Sequence, residues 1–553
     1  MERRLSDFFT QEIAEKAGLA GKKGEANPVI TGLQFDSRKV MPGNLFFALP
    51  GLHTNGRLFI DKAISAGAAA IVYEGDDIIL QPCQHDSRQY CQNQAILLRV
   101  NNSRFAMSPI AAAFYNFPSR RMHVIGVTGT EGKSTTVYLI WQLLALLGKK
   151  TGFFSTVQHC LGNEVLENSE HQTTPEAVIV QQLLCEMADN GCEYAVVEAS
   201  SHGLSRRTNR LGDVEFCAAV MTNVTHEHLE FHGTWEQYRC DKANLFRALD
   251  SYAQSRNKQQ HDNGHNQGVV GSEKKLYTFE PFGVINADDK SASFFAEAAK
   301  NKTFMHSAEG RDANIILETI ESCAQGNKYT VFLPALNERL ELKDNLPGAF
   351  NSGNVMAALL TVSGLLGLPV RNIAPFVNSL KPVRGRMNSI NKGQLFELVV
   401  DYAHTPSSFQ AIFPPLRKRL NKTGGRIISL FGSGGERDTQ KRPEQGKIAA
   451  EYSDIIIVTD EDPRCENPMS ILEDIAAGAE QHGKTANKPF VRGENLFLIT
   501  DRPSAIRKAL SLACPGDLVL LLGKGHENSI IHADYVMPYD EITEAEKALE
   551  ELV

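Results

Sequence analysis

Residues 124–136 read VIGVTGTEGKSTT, and this stretch decides the fold of the region around it. An apolar run enters a glycine-rich turn, and the helical pattern VYLIWQLLALLG follows, which is the order of a nucleoside-triphosphate site. Glycines let the backbone approach phosphates, the lysine brings charge to the β- and γ-phosphates, and the serine hydroxyl can hold Mg²⁺. Because Val127 stands where the longer P-loop has a glycine, the match is to the shorter GTxGKS form. The candidate nucleotide contacts are Gly129, Thr130, Gly132, Lys133, Ser134 and Thr135.

Length and composition narrow the class of protein. At 553 residues the chain exceeds a single core, and roughly 100–200 residues per domain predicts about three domains. The net charge of −8 argues against a nucleic-acid partner, because such proteins present basic surfaces to phosphates. The N-terminal segment MERRLSDFFTQEIAEKAG is charged where a signal peptide is apolar, and no stretch reaches the ~18 apolar residues of a spanning helix. We therefore expect a cytoplasmic protein without membrane insertion. Separately, we expect a monomer.

The pattern along the chain predicts three α/β domains. Residues 1–119 mix short strand patterns with one helical stretch and predict a small α/β domain. Residues 120–382 alternate apolar strands with helices, which predicts a parallel sheet covered on both faces. Residues 383–553 repeat that alternation and predict a Rossmann-like domain. A stretch at about 251–275, rich in Gln, Asn, Gly and charge, predicts a mobile polar surface insertion.

Charged residues follow two strands of the central region. Glu198 ends the apolar strand pattern EYAVVE, where α/β sheets place ligands, and an acid there suits Mg²⁺. Lys242 lies in an amphipathic helix, a pattern that by itself predicts an exposed lysine. The segment TNVTHEHLEFHG follows the next strand and adds further metal-capable groups, namely Glu227, His228, Glu230 and His232.

The C-terminal part carries glycine-rich turns after apolar strands, each followed by charge. This arrangement predicts a second ligand-facing crevice. Ahead of it, the segment LPGAFNSGN puts Asn351 and Asn354 in helix-capping or base-contacting positions. The candidate segments are RGRM, VDYAHTP, FGSGGERDTQKRP, DEDPR and GKGHE, which contribute Arg386, Asp401, Arg437, Arg464 and Glu527 respectively.

The order of these motifs resembles the Mur ligase family. GTEGKST, HQTTPE, EASSHGL, EHLEFHG, YRCDKANLF, PGAFNSGN, GRM, DYAHTP, FGSGGERDTQKRP, DEDPR and GKGHE follow one another between about residues 36 and 527. The resemblance is to the branch that adds the third residue of the peptidoglycan stem peptide. It implies three domains that hold a UDP-sugar dipeptide, ATP and the incoming amino acid. It also implies an ATP-dependent amide ligase that joins a diamino acid to UDP-N-acetylmuramoyl-L-alanyl-D-glutamate through an acyl phosphate.

The resemblance also implies roles for individual residues. Lys133, Glu198, His228 and Lys242 are the implied catalytic residues, with Lys242 carbamylated by CO₂. The implied magnesium ligands are Ser134, Glu198, His228 and the Lys242 carbamate, and the further ATP contacts are Asn351, Arg386 and Asp401. The implied contacts to the UDP-sugar peptide are Ser37, Thr173, Thr174, Ser200 and one of Arg206, Arg207 and Arg210, of which Arg210 is favoured because Leu-Gly follows it. The implied amino-acid contacts are Arg437, Asp462, Arg464, Gly523 and Glu527.

Departures from the family pattern leave open which amino acid the enzyme adds. Asp462 stands where the diaminopimelate enzymes carry asparagine, and this negative charge favours a distal ammonium, whereas Arg464 favours a distal carboxylate. In EHLEFHG, Glu227 and Glu230 stand where the family pattern has aspartates. Because each glutamate is longer by one methylene, we expect a slightly different metal geometry. L-Ornithine, L-lysine and meso-diaminopimelate therefore all stay candidates.

The sequence also allows two alternative functions. A sister ligase such as a folylpolyglutamate synthetase or another Mur ligase is disfavoured by the uridine-type turn around Ser37 and by GERDTQKRP and DEDPR. An inactive nucleotide-binding homologue is disfavoured because the four implied catalytic residues are all retained.

Overall fold

The computed structural model describes residues 1–51, 55–78, 95–168, 172–225, 229–253, 280–323 and 326–552. The chain divides into two compact units. The first comprises Met1–Lys133, Leu144–Ile285 and Asp289–Phe304, and the second Ser134–Leu143, Asn286–Asp288 and Met305–Val553. The three domain boundaries expected from the sequence stay a prediction. The expected polar insertion at 251–275 lies, apart from 251–253, outside the described residues.

The N-terminal part of the first unit is a small α/β fold, as predicted. Its five-stranded sheet has the order β2-β7-β6-β5-β4, parallel except that β2 runs antiparallel to β7. The strands are β1 (Arg3–Arg4), β2 (Leu19–Lys23), β3 (Val29–Ile30), β4 (Gly32–Gln34), β5 (Asn44–Ala48), β6 (Ala70–Glu74) and β7 (Ile96–Val100). The helices are α1 (Leu5–Phe8), α2 (Gln11–Lys16), α3 (Ile60–Ser65) and α4 (Ser103–Phe114).

The second part of the first unit is built on a parallel sheet with the order β9-β12-β8-β13-β14, which confirms the predicted parallel architecture. A short antiparallel extension, β10 and β11, adds to its β9 edge. The strands are β8 (His123–Thr128), β9 (Thr151–Phe154), β10 (Gln158–Cys160), β11 (Val165–Glu167), β12 (Tyr194–Glu198), β13 (Phe216–Met221) and β14 (Phe282–Asn286). The helices are α5 (Lys133–Leu146), α6 (Ala177–Asp189), α7 (Ser201–Leu204), α8 (Leu229–His232), α9 (Trp235–Arg247) and α10 (Ala292–Ala298).

The second unit contains an antiparallel ladder that the sequence did not predict. Strands β16 (Ile315–Cys323), β17 (Gly326–Leu333) and β18 (Glu338–Lys343) pair antiparallel, and β15 (Lys302–Ser307) pairs parallel to β16 through His306. Two helices follow, α11 (Asn351–Leu366) and α12 (Val370–Ile373). Among the described residues no single helix is long and apolar enough to cross a membrane. One pair bent by 108°, Asn351–Leu366 with Val370–Ser379, meets those criteria jointly, and α11 is largely buried within the protein.

The C-terminal part of the second unit is Rossmann-like. Its sheet has the order β19-β20-β24-β21-β22-β23, parallel except for β19. The strands are β19 (Asn388–Ile390), β20 (Glu397–Asp401), β21 (Ile427–Phe431), β22 (Ile455–Val458), β23 (Leu496–Leu498) and β24 (Leu518–Leu522), and a small hairpin adds β25 (Ser529–Ile531) and β26 (Val536–Pro538). The helices are α13 (Pro406–Leu420), α14 (Lys441–Tyr452), α15 (Pro468–Thr485), α16 (Arg502–Leu512) and α17 (Glu541–Glu550). The fully buried apolar strands β21, β22 and β24 explain why this sheet was predictable.

Candidate active site

The glycine-rich turn between β8 and α5 has a backbone that requires glycine. A Cβ atom at Gly129 would lie 1.9 Å from Thr222 Oγ1. Gly132 has a φ of 80°, in the left-handed region that L side chains disfavour. Lys133 Nζ donates to the Thr130 carbonyl oxygen at 2.7 Å, so its charge stays at the turn. The turn therefore has the open backbone that a phosphate site needs.

Residues that the sequence did not single out hold this turn in place. Thr222 Oγ1 donates to the Glu131 carbonyl oxygen at 2.6 Å, and Asn223 Oδ1 accepts from the Glu131 amide at 2.9 Å. The Tyr238 hydroxyl lies 3.0 Å from Thr130 Oγ1. The signal for the first pair was the dipeptide Thr-Asn directly after β13. Tyr238 precedes Lys242 by one helical turn on the same face of α9, a spacing that could have indicated it.

Glu198 lies where the sequence places it, at the carboxyl end of β12. It is paired in register with Val127 of β8, the strand that leads into the glycine-rich turn. Its side chain is 1% exposed and accepts hydrogen bonds from the Thr156 amide at 2.8 Å and from Thr156 Oγ1 at 3.1 Å. The two bonds fix the carboxylate at this edge of the sheet.

Lys242 is buried, so the exposure predicted from its helical pattern is wrong. The residue is 2% exposed, and Nζ donates to the Gly129 carbonyl oxygen at 2.5 Å. Nζ also lies 4.5 Å from the centre of the Tyr238 ring, which stabilises a cation. A buried amine is costly, and this one contacts the glycine-rich turn directly.

Of the four metal-capable residues after β13, only the side chain of His232 is described by the structure. Glu227 and His228 lie outside the described residues, and so does the side chain of Glu230. His232 is buried between Asp241, 2.8 Å from Nδ1, and Ser201, 3.1 Å from Nε2, so protein atoms occupy both ring nitrogens. Across the described ranges, no three His, Cys, Asp or Glu side chains are grouped to hold a metal ion.

The candidate contacts for the sugar peptide gather near Glu198 in the first unit. Thr174 Oγ1 donates to the Glu198 carbonyl oxygen at 2.9 Å and accepts from the Ser200 amide at 3.0 Å. Arg210 donates to the Thr174 carbonyl oxygen at 2.7 Å and to Glu176 at 2.9 Å. Thr173 is half-buried beside Thr174. This geometry brings Arg210 to the threonine pair.

The other two candidate arginines point elsewhere. Arg206 and Arg207 are exposed, and Arg207 donates to the Phe231 carbonyl oxygen at 2.6 Å. Ser37 lies in a turn after β4 that a side-chain ion pair braces. There Arg38 hydrogen-bonds the Asp36 carboxyl and lowers its pKa to about 2. Ser37 is thus presented on an ordered turn.

In the second unit, Asn351 is the first residue of α11 rather than its cap. Its side chain donates to the Pro347 carbonyl oxygen at 2.8 Å and accepts from Asn354 at 2.9 Å. Thr136 Oγ1 donates to Asn354 Oδ1 at 3.2 Å. Ser134, two residues earlier, is buried, and Thr135 is half-buried. A hydrogen-bonded chain therefore connects α5 to the start of α11.

Asp401 ends β20 with both carboxylate oxygens engaged by the backbone. They accept from the amides of Met387 and Ala403, each at 2.7 Å. Burial raises the pKa of Asp401, and the nearby Arg386 guanidinium opposes that rise. Arg386 lies 4.7 Å from the centre of the Tyr402 ring. These contacts order the two segments that carry the candidate ATP contacts Arg386 and Asp401.

An ion cluster joins the candidate amino-acid residues. Lys524 Nζ lies 2.9 Å from Asp462 Oδ1 and 2.6 Å from Glu527 Oε2, and the lysine is 1% exposed. Burial lowers the pKa of Lys524, but the two carboxylates outweigh it and the pKa is raised overall. The Ile531 amide also donates to Asp462 Oδ1 at 2.9 Å. Lys524 was missed although it stands within the motif GKGHE.

The loops after β21 and β22 are packed against each other. A Cβ atom at Gly435 would lie 2.0 Å from the Pro463 carbonyl oxygen, and the Gly435 amide donates to the Asp462 carbonyl oxygen at 2.8 Å. Arg437 is exposed on the first loop, and Arg464, with a φ of 53°, stands on the second. This packing sets the position of both arginines.

Four buried polar atoms in these loops have no partner among the described residues, namely Ser433 Oγ, Asp460 Oδ1, Glu461 Oε2 and Arg464 Nε. The last two are an anionic acceptor and a cationic donor. A Cβ atom at Gly523 would lie 2.9 Å from Glu461 Oε2, so a side chain at this position would crowd the carboxylate. An unpaired donor and an unpaired acceptor of opposite charge suit a zwitterion such as an amino acid.

Comparison with known proteins decides the family. The descriptions of the matching family models are "Mur ligase family, catalytic domain" over residues 29–115, "Mur ligase middle domain" over 127–362 and "Mur ligase, glutamate ligase domain" over 385–525. A UDP-N-acetylmuramyl-tripeptide synthetase of Treponema denticola is 50% identical and covers 98% of both chains. The chain belongs to the Mur ligase family. Members of the family are ATP-dependent ligases that form peptide bonds, and the chain is an enzyme of this class.

More distant Mur ligases share the whole architecture. A UDP-N-acetylmuramoyl-L-alanyl-D-glutamate–2,6-diaminopimelate ligase of Caldanaerobacter subterraneus is 34% identical and covers 94% of both chains. The solved structure of a ligase with the same name is 26% identical, has a TM-score of 0.57 and covers 95% of both chains. The recognition and the three-part α/β fold expected from the sequence are thereby confirmed. The roles of individual residues stay predictions.

Proposed function

We propose that the chain joins a diamino acid to UDP-N-acetylmuramoyl-L-alanyl-D-glutamate with ATP, in the synthesis of peptidoglycan precursors. Full-length identity of 50% to a tripeptide synthetase supports this choice of substrate over that of a sister ligase. The observation that carries the proposal is that Arg464 Nε and Glu461 Oε2, both in the loop after β22, have no partner among the described residues, because a zwitterionic amino acid can pair with a cationic donor and an anionic acceptor. A cytoplasmic location and a monomeric state stay predictions.

The first half-reaction needs positioning of ATP and the acceptor carboxylate. The carboxylate oxygen attacks the γ-phosphorus and the bond to the β-phosphate oxygen breaks, which yields ADP and an acyl phosphate. The amides of the turn that begins at Gly129, together with Lys133, stabilise the charge on the transferred group. Asn351, Arg386 and Asp401 bind the nucleoside part in this proposal.

Magnesium fits the residue types near the turn. Glu198 offers a buried carboxylate and Ser134 a hydroxyl, which are the oxygen ligands that Mg²⁺ prefers. His228 and a carbamate on Lys242 complete the proposed set. When bound, the ion neutralises part of the charge on the phosphates.

The sugar-peptide acceptor would lie along Thr173, Thr174, Ser200 and Arg210, with Ser37 at the uridine. Arg210 has a buried Nε without a partner among the described residues. That atom is a donor for a carboxylate of the acceptor peptide, and the contacts of Arg210 to Thr174 and Glu176 hold it in place. A guanidinium held in this way selects an anionic substrate.

In the second half-reaction the amine of the diamino acid attacks the acyl carbon. A tetrahedral intermediate then collapses, the amide bond forms and inorganic phosphate leaves. Arg437 binds the carboxylate at the reacting end of the amino acid. Glu527 and Glu461 bind the amine, whose second proton must pass to a base before the amide forms.

The distal end of the amino acid faces Asp462 and Arg464. Lys524 and the Ile531 amide both donate to Asp462 Oδ1, so the protein itself offsets much of the Asp462 charge. The argument that Asp462 rejects a distal carboxylate is therefore weaker than the sequence suggested. Arg464 keeps the charge that such a carboxylate needs, and matched relatives include enzymes named for diaminopimelate.

The test is phosphate release from ATP with the UDP-sugar dipeptide and each diamino acid offered separately. We expect release that requires both substrates, with one diamino acid dominant. Asp462→Asn should move the preference toward meso-diaminopimelate if L-ornithine or L-lysine is the natural substrate, whereas Asp534→Asn, an exposed aspartate, should change nothing. A folded, ATP-binding protein that accepts none of the three would refute the proposal and leave the sister-ligase or inactive alternatives.

A further inference from the structure

A cavity of about 390 Å³ lies at the carboxyl ends of β22 and β23. Asp460, two residues beyond β22, and Asp501, three residues beyond β23, both line it. The carboxyl ends of parallel strands are the common ligand position in α/β sheets. None of the five predicted amino-acid contacts lines this cavity. The proposed ligase function therefore does not account for it.

The acidic wall of the cavity includes a carboxylate with one oxygen that accepts no hydrogen bond from the described residues. Asp460 is 7% exposed, and no described residue donates a hydrogen bond to its Oδ1. The nearest candidate cation, Arg502, also lines the cavity but is fully engaged. It donates twice to Glu541, at 2.8 and 2.7 Å, and to the carbonyl oxygens of Asp460 and Leu522 at 3.0 and 2.7 Å.

A buried carboxylate of this kind needs a partner. Burial raises the pKa of Asp460 to about 6, with Arg502 opposing the rise, so the group is still mostly ionised at neutral pH. An ionised carboxylate that is removed from water without a hydrogen-bond donor is costly. A cationic ligand in the cavity would remove that cost.

The rest of the lining defines the ligand as an organic cation rather than a metal ion. Met469, Ile530 and Met537 contribute apolar surface, and the His532 and Tyr535 rings stack with centroids 4.5 Å apart. Tyr535 also lines the cavity and is 59% exposed. No three His, Cys, Asp or Glu side chains in the described part of the chain are grouped to hold a metal ion, whereas an ammonium with an aliphatic body uses one carboxylate and the apolar wall.

We propose that this cavity is a binding site for a small aliphatic amine, with the ammonium on Asp460 and the carbon chain against Met469, Met537 and Tyr535. The site is separate from the reacting amino acid. Arg502 contacts the backbone at Asp460 and at Leu522, the residue before Gly523. The hydrogen bonds of Arg502 therefore connect the cavity to the segment that carries Gly523, one of the candidate amino-acid contacts.

The experiment is calorimetric titration of the full-length protein with pentan-1-amine, and with pentan-1-ol as the neutral isostere. We expect one saturable site for the amine and none for the alcohol. Asp460→Asn should weaken amine binding at least about tenfold, because a charge-assisted hydrogen bond is lost. Asp534→Asn, an exposed aspartate before Tyr535, serves as the matched control and should bind as the wild type does.

Further arms separate the amine site from the ligase site. Arg437→Ala should leave pentan-1-amine binding intact, and added L-lysine or L-ornithine should not displace the amine at concentrations that saturate turnover. Displacement by the diamino acid would overturn the proposal and make the cavity part of the amino-acid site. If Asp460→Asn fails to fold, Tyr535→Ala tests the apolar wall and should weaken binding by about threefold. Equal affinity for amine and alcohol, or no binding at all, would also overturn the proposal.

Discussion

Replacing Arg502 by methionine should destabilise the C-terminal sheet more than any surface charge change. The Arg502–Glu541 pair is 0% exposed on both sides, and Arg502 also donates to two backbone carbonyl oxygens. Removing one partner of a buried ion pair costs about 3–5 kcal/mol, because the other charge is left unpaired. The two abandoned carbonyl groups place Arg502→Met near the upper end of that range.

A double-mutant cycle separates the pair from its surroundings. Glu541→Leu alone should cost about 3–5 kcal/mol, while the double variant Arg502→Met with Glu541→Leu should cost less than the sum by about 2 kcal/mol or more. Arg492 is the matched control, since it pairs with Glu473 at 2.7 Å on the surface, and Arg492→Met should cost no more than about 1 kcal/mol.

The assay is hydrogen exchange of the β24 amides, Leu518–Leu522, with urea unfolding followed by circular dichroism. Exchange is chosen because a chain with two compact units need not unfold in one step. The reasoning is refuted if Arg502→Met and Arg492→Met cost the same, or if the two core substitutions are additive. Either result would mean that the pair is hydrated or replaceable.

Three further predictions concern the nucleotide turn and one buried histidine. Lys242→Ala should abolish phosphate release and be partly restored by short-chain carboxylic acids, and full activity without rescue would remove the carbamate role. Gly129→Ala should abolish turnover because its Cβ meets Thr222, whereas Gly148→Ala, also at positive φ but with open space around it, should retain turnover. Burial lowers the pKa of His306 to about 4, so the unfolded state takes up the proton first as pH falls below about 6.5. Stability should therefore drop by up to about 3 kcal/mol between pH 6.5 and 4, and His306→Leu should flatten that profile in urea titrations.

The sequence predicted the strands that are marked by a continuous apolar run and missed a strand that is not. The runs Ile455–Val458 and Leu518–Leu522 are fully buried strands, and their unbroken apolar character indicates a parallel sheet on its own. The strand Ile315–Cys323 was missed because most of its side chains are exposed or half-exposed, so no apolar period marks it.

The candidate site also contains residues that a local sequence pattern predicted and residues that it did not. Lys133 and Glu198 were predicted because each lies next to a pattern that can be recognised in the sequence. For Lys133 the pattern is the glycine-rich turn, and for Glu198 it is the end of an apolar strand. Thr156, Tyr238 and Lys524 were missed because each contacts a residue far along the chain, 42, 108 and 62 positions away respectively, although Lys524 also contacts Glu527 within its own motif. Only the folded chain brings such partners together. The burial of Lys242 was missed for the same reason, since its helix reads as amphipathic.

Asp460 differs from Arg502 and Lys524, two other buried charges of the second unit, and stability should show the difference. Arg502 and Lys524 have carboxylate partners, whereas Asp460 Oδ1 has no partner among the described residues. Burial raises the pKa of Asp460 to about 6, above the ordinary value of 3.8. As pH rises from 4 to 6 the unfolded state loses its proton first, so folding becomes less favourable. Two pKa units correspond to about 3 kcal/mol, reduced to about 2 kcal/mol because water at the cavity mouth screens the charge. Asp460→Asn should remove this loss, and saturating pentan-1-amine at pH 7 should stabilise the wild type but not the variant. If both proteins show the same pH profile in urea titrations, Asp460 is already compensated within the fold and the cavity has no use for a cation.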